Sequence, residues 1–215
     1  MSTSNPINTH DMVLIHRLIR RELGLLPGMI RCAGGNPARA HRVARHVSEM
    51  TDFLHHHHDG EDTFLWPVLK TSPDLDTPMI ERMQSQHASV AAIPLSIQRD
   101  LPTWTTSADA ISGENMAADI ESMNEVLYAH LDEEETTVLP MVARTLTAEQ
   151  WAQLAKHGFA AIPGKRRLVM LGHILEEASP EETKTFFLNV PPPARIVFKL
   201  IGRRQHSREV ANLRI

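Results

Sequence analysis

The sequence predicts an all-α protein, with an up-down-up-down four-helix bundle over residues 1–145 and a C-terminal α-helical extension over residues 146–215. Apolar side chains recur at helical spacing along four long segments, and short turn-rich segments join them. No segment combines strand-like alternation with flanking turns. The composition agrees, because aromatic residues make up only 5% of the chain while Leu, Ala and Met, which favour helices, are common.

The first two helices are predicted to form a hairpin. One runs from about His10 to Arg31, and Pro27 is expected to kink or end it. Glycine, asparagine and proline at 34–37 are a loop signal. The second helix then runs from about Pro37 to Lys70, with its apolar side facing the first.

A second hairpin follows a predicted turn at 71–77. Its first helix runs from about Pro78 to Asp100 and is interrupted at Pro94. Threonine and serine between Leu101 and Gly113 indicate a loop. The last bundle helix runs from about Glu114 to Thr145.

The extension begins with helix-start signals. Thr147 to Gln150 matches a capping box and opens a short helix that ends near Gly158. Ser179 to Glu182 is a second helix start, with proline in the first turn. Three prolines at 191–193 break the chain before a final basic helix, from Ala194 to about Arg208.

The charge is mildly negative overall but uneven. The net charge is −4, while Pro191 to Ile215 carries six basic residues and one acidic residue. No nucleic-acid partner is expected from such a balance. The basic helix is best explained as a solvated face or as a partner for the acidic bundle. Contact with a protein partner is one alternative. Weak contact with an anionic membrane is another, which the short apolar face of the helix makes less favourable.

Cysteine usage and hydropathy favour a cytoplasmic protein. Cys32 is the single cysteine, so no intrachain disulfide can form. Met1 to Met12 is polar and lacks the apolar core of a signal peptide. No stretch reaches the roughly 18–20 apolar residues of a transmembrane helix, so no transmembrane segment is expected.

An internal repeat carries the chemistry. Each copy has a His-x-x-x-Glu pair, a second acid directly after the Glu, and a proline six residues after the Glu. The first copy comprises His57, Glu61, Asp62 and Pro67, and the second comprises His130, Glu134, Glu135 and Pro140. The copies are 73 residues apart, and a lone histidine precedes each: His16 by 41 residues and His87 by 43. The chain therefore reads as two matched helical hairpins.

The spacing predicts a metal site in the bundle interior. Residues i and i+4 lie above one another on a helix, so an imidazole and a carboxylate can converge on one cluster. A single inward histidine or a single His-x-x-x-Glu pair is more often a core or surface feature, but two matched copies favour metal ligation. The flanking histidines are expected to point elsewhere around the helix: His55, His56 and His58. The others are expected at the surface or in the tail: His10, His41, His46, His157, His173 and His206.

These motifs resemble the hemerythrin-like, or HHE cation-binding, family over roughly residues 10–145, and the tail resembles the extension of actinobacterial members. The resemblance implies two iron ions with an oxo or hydroxo bridge. It also implies that Glu61 and Glu134 bridge the two irons and that two histidines bind each iron. His16 and His57 would bind one iron, and His87 and His130 the other.

One departure from the family bears on function. Oxygen-carrying members have a further histidine one turn after the one matching His87, where this chain has Ala91. The centre is therefore expected to be nearly symmetric, with open positions for O2, peroxide or NO on both irons. Such symmetry favours an oxidoreductase that detoxifies peroxide or nitric oxide. The alternatives are a non-enzymatic O2 or iron sensor or an iron store, a centre built on zinc or manganese, and a helical interaction module without metal.

Overall fold

The structure is a computed structural model that describes residues 7–71 and 77–214. The described chain is helical with no strand, which confirms the all-α class. The bundle is built from α1 (His10–Arg31), α2 (Pro37–Gly60), α3 (Trp66–Leu69), α4 (Thr77–Ser107), α5 (Ala110–Glu133) and α6 (Leu139–Thr145). Most of the predicted turn at 71–77 lies outside the described residues.

The four long helices pack as a bundle around a divided core. α1 and α4 each pack against both α2 and α5, so α1 and α4 lie on a diagonal. One apolar cluster occupies one end and includes Leu18, Leu54, Val90 and Leu127. A second occupies the other end and includes Met12, Leu65, Met83 and Val138. α1 and α4 contribute apolar residues to both clusters, whereas α2 and α5 reach the second cluster only through the segments that continue them, with a short polar stretch between the clusters.

Two π-helical turns interrupt the regular helices. The turns are Glu61–Leu65, which joins α2 to α3, and Glu134–Val138, which joins α5 to α6. In each, the residue after the turn donates its backbone N–H to the carbonyl of the glutamate five residues earlier. Pro67 or Pro140 follows. Since proline has no N–H and its ring crowds the carbonyl four residues before it, the widened turn relieves a conflict that a regular helix would suffer.

The first helix has its predicted bounds, and α1 continues through Pro27 to Arg31. The predicted interruption at Pro94 and the predicted end at Asp100 were wrong, because α4 continues through both Pro94 and Pro102 to Ser107. The predicted loop at 101–113 shrinks to two residues, with Asp109 capping α5 through Ser112. Buried side chains lie on both sides of Pro94, so tertiary packing outweighs a local cost of about 3 kcal/mol for a helix-interior proline.

The extension is helical, as expected. It comprises α7 (Ala148–Ala161), α8 (Arg167–Leu175), α9 (Pro180–Leu188), α10 (Pro192–Val197) and α11 (Arg203–Leu213). The predicted capping box is present at Thr147, and the predicted helix start at Ser179 is a capping box as well. A π-helical turn, Phe198–Gly202, joins α10 to α11. α7 packs on α2 and α8 packs on α1, while the division between bundle and extension after residue 145 stays a prediction. No helix in the described ranges is long and apolar enough to cross a membrane.

A buried ionic network, which we call the Glu22 network, ties the extension to the bundle. Glu22 on α1 is fully buried and accepts hydrogen bonds from His46 at 3.0 Å and His173 at 3.2 Å. Arg214 donates to the same carboxylate at 2.5 Å. His46 was expected at the surface, and that expectation is wrong, while His173 lies in the tail as expected but is buried. The two residues are 3% and 0% exposed, and their hydrogen bonds satisfy a carboxylate that would otherwise be costly to bury.

Candidate metal centre

The bundle brings the six predicted ligand residues into one layer between its two apolar clusters. His16, Glu61, His130 and Glu134 are 0% exposed, and His87 and His57 are 5% and 9% exposed. His16 comes from α1, His57 from α2, His87 from α4 and His130 from α5, while each glutamate opens a π-helical turn. Polar groups buried this completely require partners.

Half of the layer is a cluster of four donors. One ligand atom each from His16, His57, Glu61 and Glu134 lies within 4.8 Å of the others. Nε2 of His57 is 3.1 Å from Oε1 of Glu61, and Nε2 of His16 is 3.4 Å from Oε2 of Glu134. Two imidazoles and two carboxylates at these separations make a donor set that suits iron or zinc.

The other half contains a histidine that the sequence analysis placed elsewhere. His58, Glu61, His87 and His130 also have ligand atoms within 4.8 Å of one another. His58 is 6% exposed, and its ring stacks on that of His87 with centroids 4.1 Å apart. The expectation that His58 points away is therefore wrong. A signal for its position is present in the repeat, since its counterpart 73 residues later is the buried residue Leu131.

Glu61 belongs to both clusters. Its Oε1 is 3.1 Å from Nε2 of His57, and its Oε2 is 3.3 Å from Nε2 of His87. The two oxygens of one carboxylate thus face opposite halves of the layer, which is the placement that a bridging carboxylate requires. Glu134 presents a single oxygen, Oε2, to both His16 at 3.4 Å and His130 at 3.8 Å.

The second acid of each repeat orients the lone histidine of the opposite hairpin. Asp62 accepts a hydrogen bond from Nδ1 of His87 at 3.2 Å, and Glu135 accepts one from Nδ1 of His16 at 2.9 Å. Arg20 holds Glu135 in place at 2.6 Å. Such bonds fix the orientation of the ring, and in the neutral form that binds a metal they leave the lone pair on Nε2, which faces the layer. The sequence showed these acids but not this crossed pairing.

Glutamine completes the set of orienting groups. Nδ1 of His130 lies 3.0 Å from Oε1 of Gln86, one residue before His87 on α4. An amide oxygen accepts a hydrogen bond from the ring without adding charge. No motif in the sequence points to Gln86, because it belongs to neither copy of the repeat.

Burial shapes the charge states of these residues. It lowers the pKa of His57 and His58 far below the usual value, and neighbouring histidines lower both pKa values further. Burial and the neighbours His87 and His16 likewise lower the pKa of His130 to about 3. These three rings are thus neutral, the form in which imidazole binds a metal.

The two central carboxylates behave in the opposite way. Burial raises the pKa of Glu61, and burial together with the charge of Glu61 raises the pKa of Glu134 to about 8. His87 differs from the other rings. Burial alone would lower its pKa, but the hydrogen bond with Asp62 and the nearby carboxylate of Glu61 raise it to about 9. A cation in the layer would offset the repulsion between the carboxylates.

Many donor atoms in the layer have no hydrogen-bond partner within the protein, which is the arrangement expected of metal ligands. Seven buried atoms in the layer make no hydrogen bond: Nε2 of His16, His57 and His58, and both carboxylate oxygens of Glu61 and of Glu134. Buried polar atoms without partners are rare in folded proteins and costly. Their convergence is accounted for if metal ions supply the missing partners.

Comparison with known proteins agrees with this geometry. Residues 8–142 match the hemerythrin HHE cation binding domain, a range that contains every residue of the layer. No curated protein and no solved structure matches the chain. The matched range covers well over half of the 215 residues. The chain therefore belongs to the hemerythrin HHE cation-binding family of metal-binding helical proteins.

Proposed function

We propose that this protein holds two iron ions in the buried layer and binds a small ligand such as O2 reversibly, as a carrier or sensor. The ligands are the six residues of the repeat, His16, His57, Glu61, His87, His130 and Glu134, together with His58. The presence of His58 among them is the observation that carries the proposal.

His58 makes the two halves of the layer unequal. One half offers the imidazoles of His16 and His57, and the other offers those of His58, His87 and His130. Irons held in this way would leave a binding position for O2, peroxide or NO on the half with fewer histidines. The preference for turnover rested on a nearly symmetric centre, and that premise fails once a fifth histidine is present.

The protein around the layer favours binding of a small ligand without further reaction. The donors are at most 9% exposed, so the layer admits only a small molecule. No cysteine lies in the layer, and the single tyrosine, Tyr128, donates its hydroxyl to the carbonyl of Arg20. Asp62 and Glu135 keep protons on the outer nitrogens of His87 and His16, away from the ligand position.

Anaerobic loading with ferrous iron tests this proposal. We expect about two irons per chain, a spectral change on adding O2, and reversal of that change under argon. Metal analysis measures the iron content, and optical spectra follow the change on adding O2 and its reversal. The same sample should neither evolve oxygen from peroxide at a sustained rate nor consume nitric oxide catalytically. Sustained turnover of either would overturn the carrier or sensor proposal in favour of a detoxifying oxidoreductase.

Two further outcomes would contradict the metal assignment itself. Tighter binding of zinc or manganese than of iron, with no response to O2, would indicate a different centre. Unchanged metal content in a Glu61→Ala, Glu134→Ala double variant would show that the layer does not bind metal. The surface variant Glu81→Ala is the matched control, because its exposed side chain lies on α4 outside the layer.

A further inference from the structure

A stripe of apolar side chains lies exposed on the C-terminal helices. Ile196, Val197, Leu200 and Ile201 are 60%, 40%, 69% and 49% exposed. They occupy positions i, i+1, i+4 and i+5, which lie on one side of a helix. Leu188, at the end of α9, is 72% exposed. Five of the ten large apolar side chains that are exposed in the described chain thus fall within 14 residues, which makes this a patch and not a scatter of single residues.

Unpaired cations surround the stripe. Lys199, Arg203, Arg204 and Arg208 are exposed, and none has a carboxylate within 4.0 Å among the described residues. Arg195 instead donates to the backbone carbonyl of Val190 at 2.6 Å. The basic helix is therefore a solvated face, and pairing with the acidic bundle does not account for its charge.

A cavity opens beside the same helix. Its volume is about 960 Å³, and its lining includes the rings of Phe187 and Phe198. Lys184, Lys199 and Arg203 also line it together with Glu176, and Lys199 and Arg203 are among the cations of the stripe. A lining of apolar side chains with three cations and one carboxylate suits a molecule that has an anionic head and an apolar chain.

We propose that this face binds the anionic surface of a phospholipid bilayer. The stripe enters the boundary between head groups and acyl chains, and the cations contact the anionic head groups. A basic helix with a separate apolar face has the character of an interfacial membrane helix. A second copy of the chain fits less well, because a symmetric contact would place these unpaired cations against each other.

Vesicle flotation with the full, iron-loaded chain tests the proposal. One set of vesicles contains about 30% anionic phospholipid in phosphatidylcholine, and the other contains phosphatidylcholine alone. We expect binding to the anionic vesicles only, weakened at high salt because screening reduces the attraction. Leu200→Gln should lower the bound fraction several-fold, and Lys199→Glu should lower the partition constant about tenfold.

Matched variants distinguish binding through this face from nonspecific adsorption to vesicles. Leu95→Gln is the control for Leu200→Gln, because both leucines are 69% exposed. Lys156→Glu, on α7, is the control for the charge reversal. Both controls should bind vesicles as the unchanged chain does, and all four variants should keep the helical circular dichroism of the parent. The proposal is overturned if anionic vesicles do not bind, if the Leu200 variant binds normally, or if light scattering shows a dimer that Leu200→Gln dissolves.

Discussion

The imidazole rings of His58 and His87 lie nearly parallel, with 13° between their planes and 4.1 Å between their centroids. His87 is satisfied on its outer nitrogen by Asp62, whereas Nε2 of His58 is buried without a hydrogen bond. Stacked rings of this kind can present nitrogens side by side to one cation. Since the counterpart of His58 in the second repeat is Leu131, the extra donor exists in one half of the layer only.

Replacing His58 with leucine should leave two histidines in each half of the layer. We expect the affinity for one of the two metal ions to fall by at least about tenfold, since loss even of an outer partner of a ligand costs that much. Titration against a chelator of known affinity measures the change. His55→Leu, an exposed neighbour on α2, is the control, and equal affinities in the two variants would contradict a ligand role for His58.

Asp62 should act by positioning His87. Asp62→Ala removes the acceptor of the Nδ1 proton and should weaken metal binding about 10- to 100-fold, while Asp62→Asn should restore part of the loss because an amide oxygen can still accept. Metal affinity is again the measurement. Asp59→Ala is the matched control, because Asp59 pairs with His157 at 3.1 Å outside the layer. No difference between the two alanine variants would argue against this role.

Glu134 should make the metal-free chain less stable as pH rises toward 8. Its pKa is raised to about 8 in the folded state, against roughly 4.3 for an ordinary glutamate. The folded state therefore holds a proton that the unfolded state releases, and the free energy of unfolding falls as pH rises from about 4 to 8. Glu134→Gln removes this dependence. With chelator present, its melting temperature should exceed that of the parent at pH 8 but not at pH 4, whereas with iron the order at pH 8 should reverse.

The Glu22 network should contribute strongly to stability. Glu22→Gln leaves buried cationic partners without their carboxylate, and we expect the free energy of unfolding to fall by about 3 kcal/mol. Glu114→Gln, at an exposed pair with Arg31, should cost less than about 1 kcal/mol. Denaturant unfolding measures both. Equal effects would mean that the buried network contributes no more than a surface pair.

The same network should weaken in alkaline solution. Burial alone would lower the pKa of His173, but hydrogen bonds with Glu209 and Glu22 raise it above its usual value. A raised pKa in the folded state gives stability that is complete below about pH 6.5 and is lost as pH rises through the raised value. The iron-loaded chain should therefore lose stability above neutral pH, and His173→Gln should reduce that loss.

The repeat allowed the sequence to predict most of the fold and the donors that converge. Each of the four histidines His16, His57, His87 and His130 lies on the apolar face of its own helix. The sequence around each one therefore indicates that its side chain faces the bundle interior. The sequence did not predict His58 as a donor because it lies about 100° around the helix from His57. A helical-wheel projection with His57 facing the core therefore places His58 on the flank of the helix. The buried side chain of Leu131 shows that this position also faces the interior.

Other features depend on contacts that no local pattern encodes. The prolines of α4 suggested breaks, but packing on both sides of Pro94 keeps the helix continuous. His46 and His173 lie 127 residues apart, and their shared partner Glu22 is on a third helix. Crossed pairing between Asp62 and His87 likewise joins different hairpins. Only the assembled bundle reveals such partners.

The two π-helical turns bear on how the chain arose. A π turn has about one residue more than the α-helical turn it replaces. Both begin at the glutamate of a His-x-x-x-Glu pair and both precede a proline by the same distance. Duplication of one helical hairpin would give both turns this position at once. Histidine at position 58 against leucine at position 131 would then be a difference that arose after the duplication.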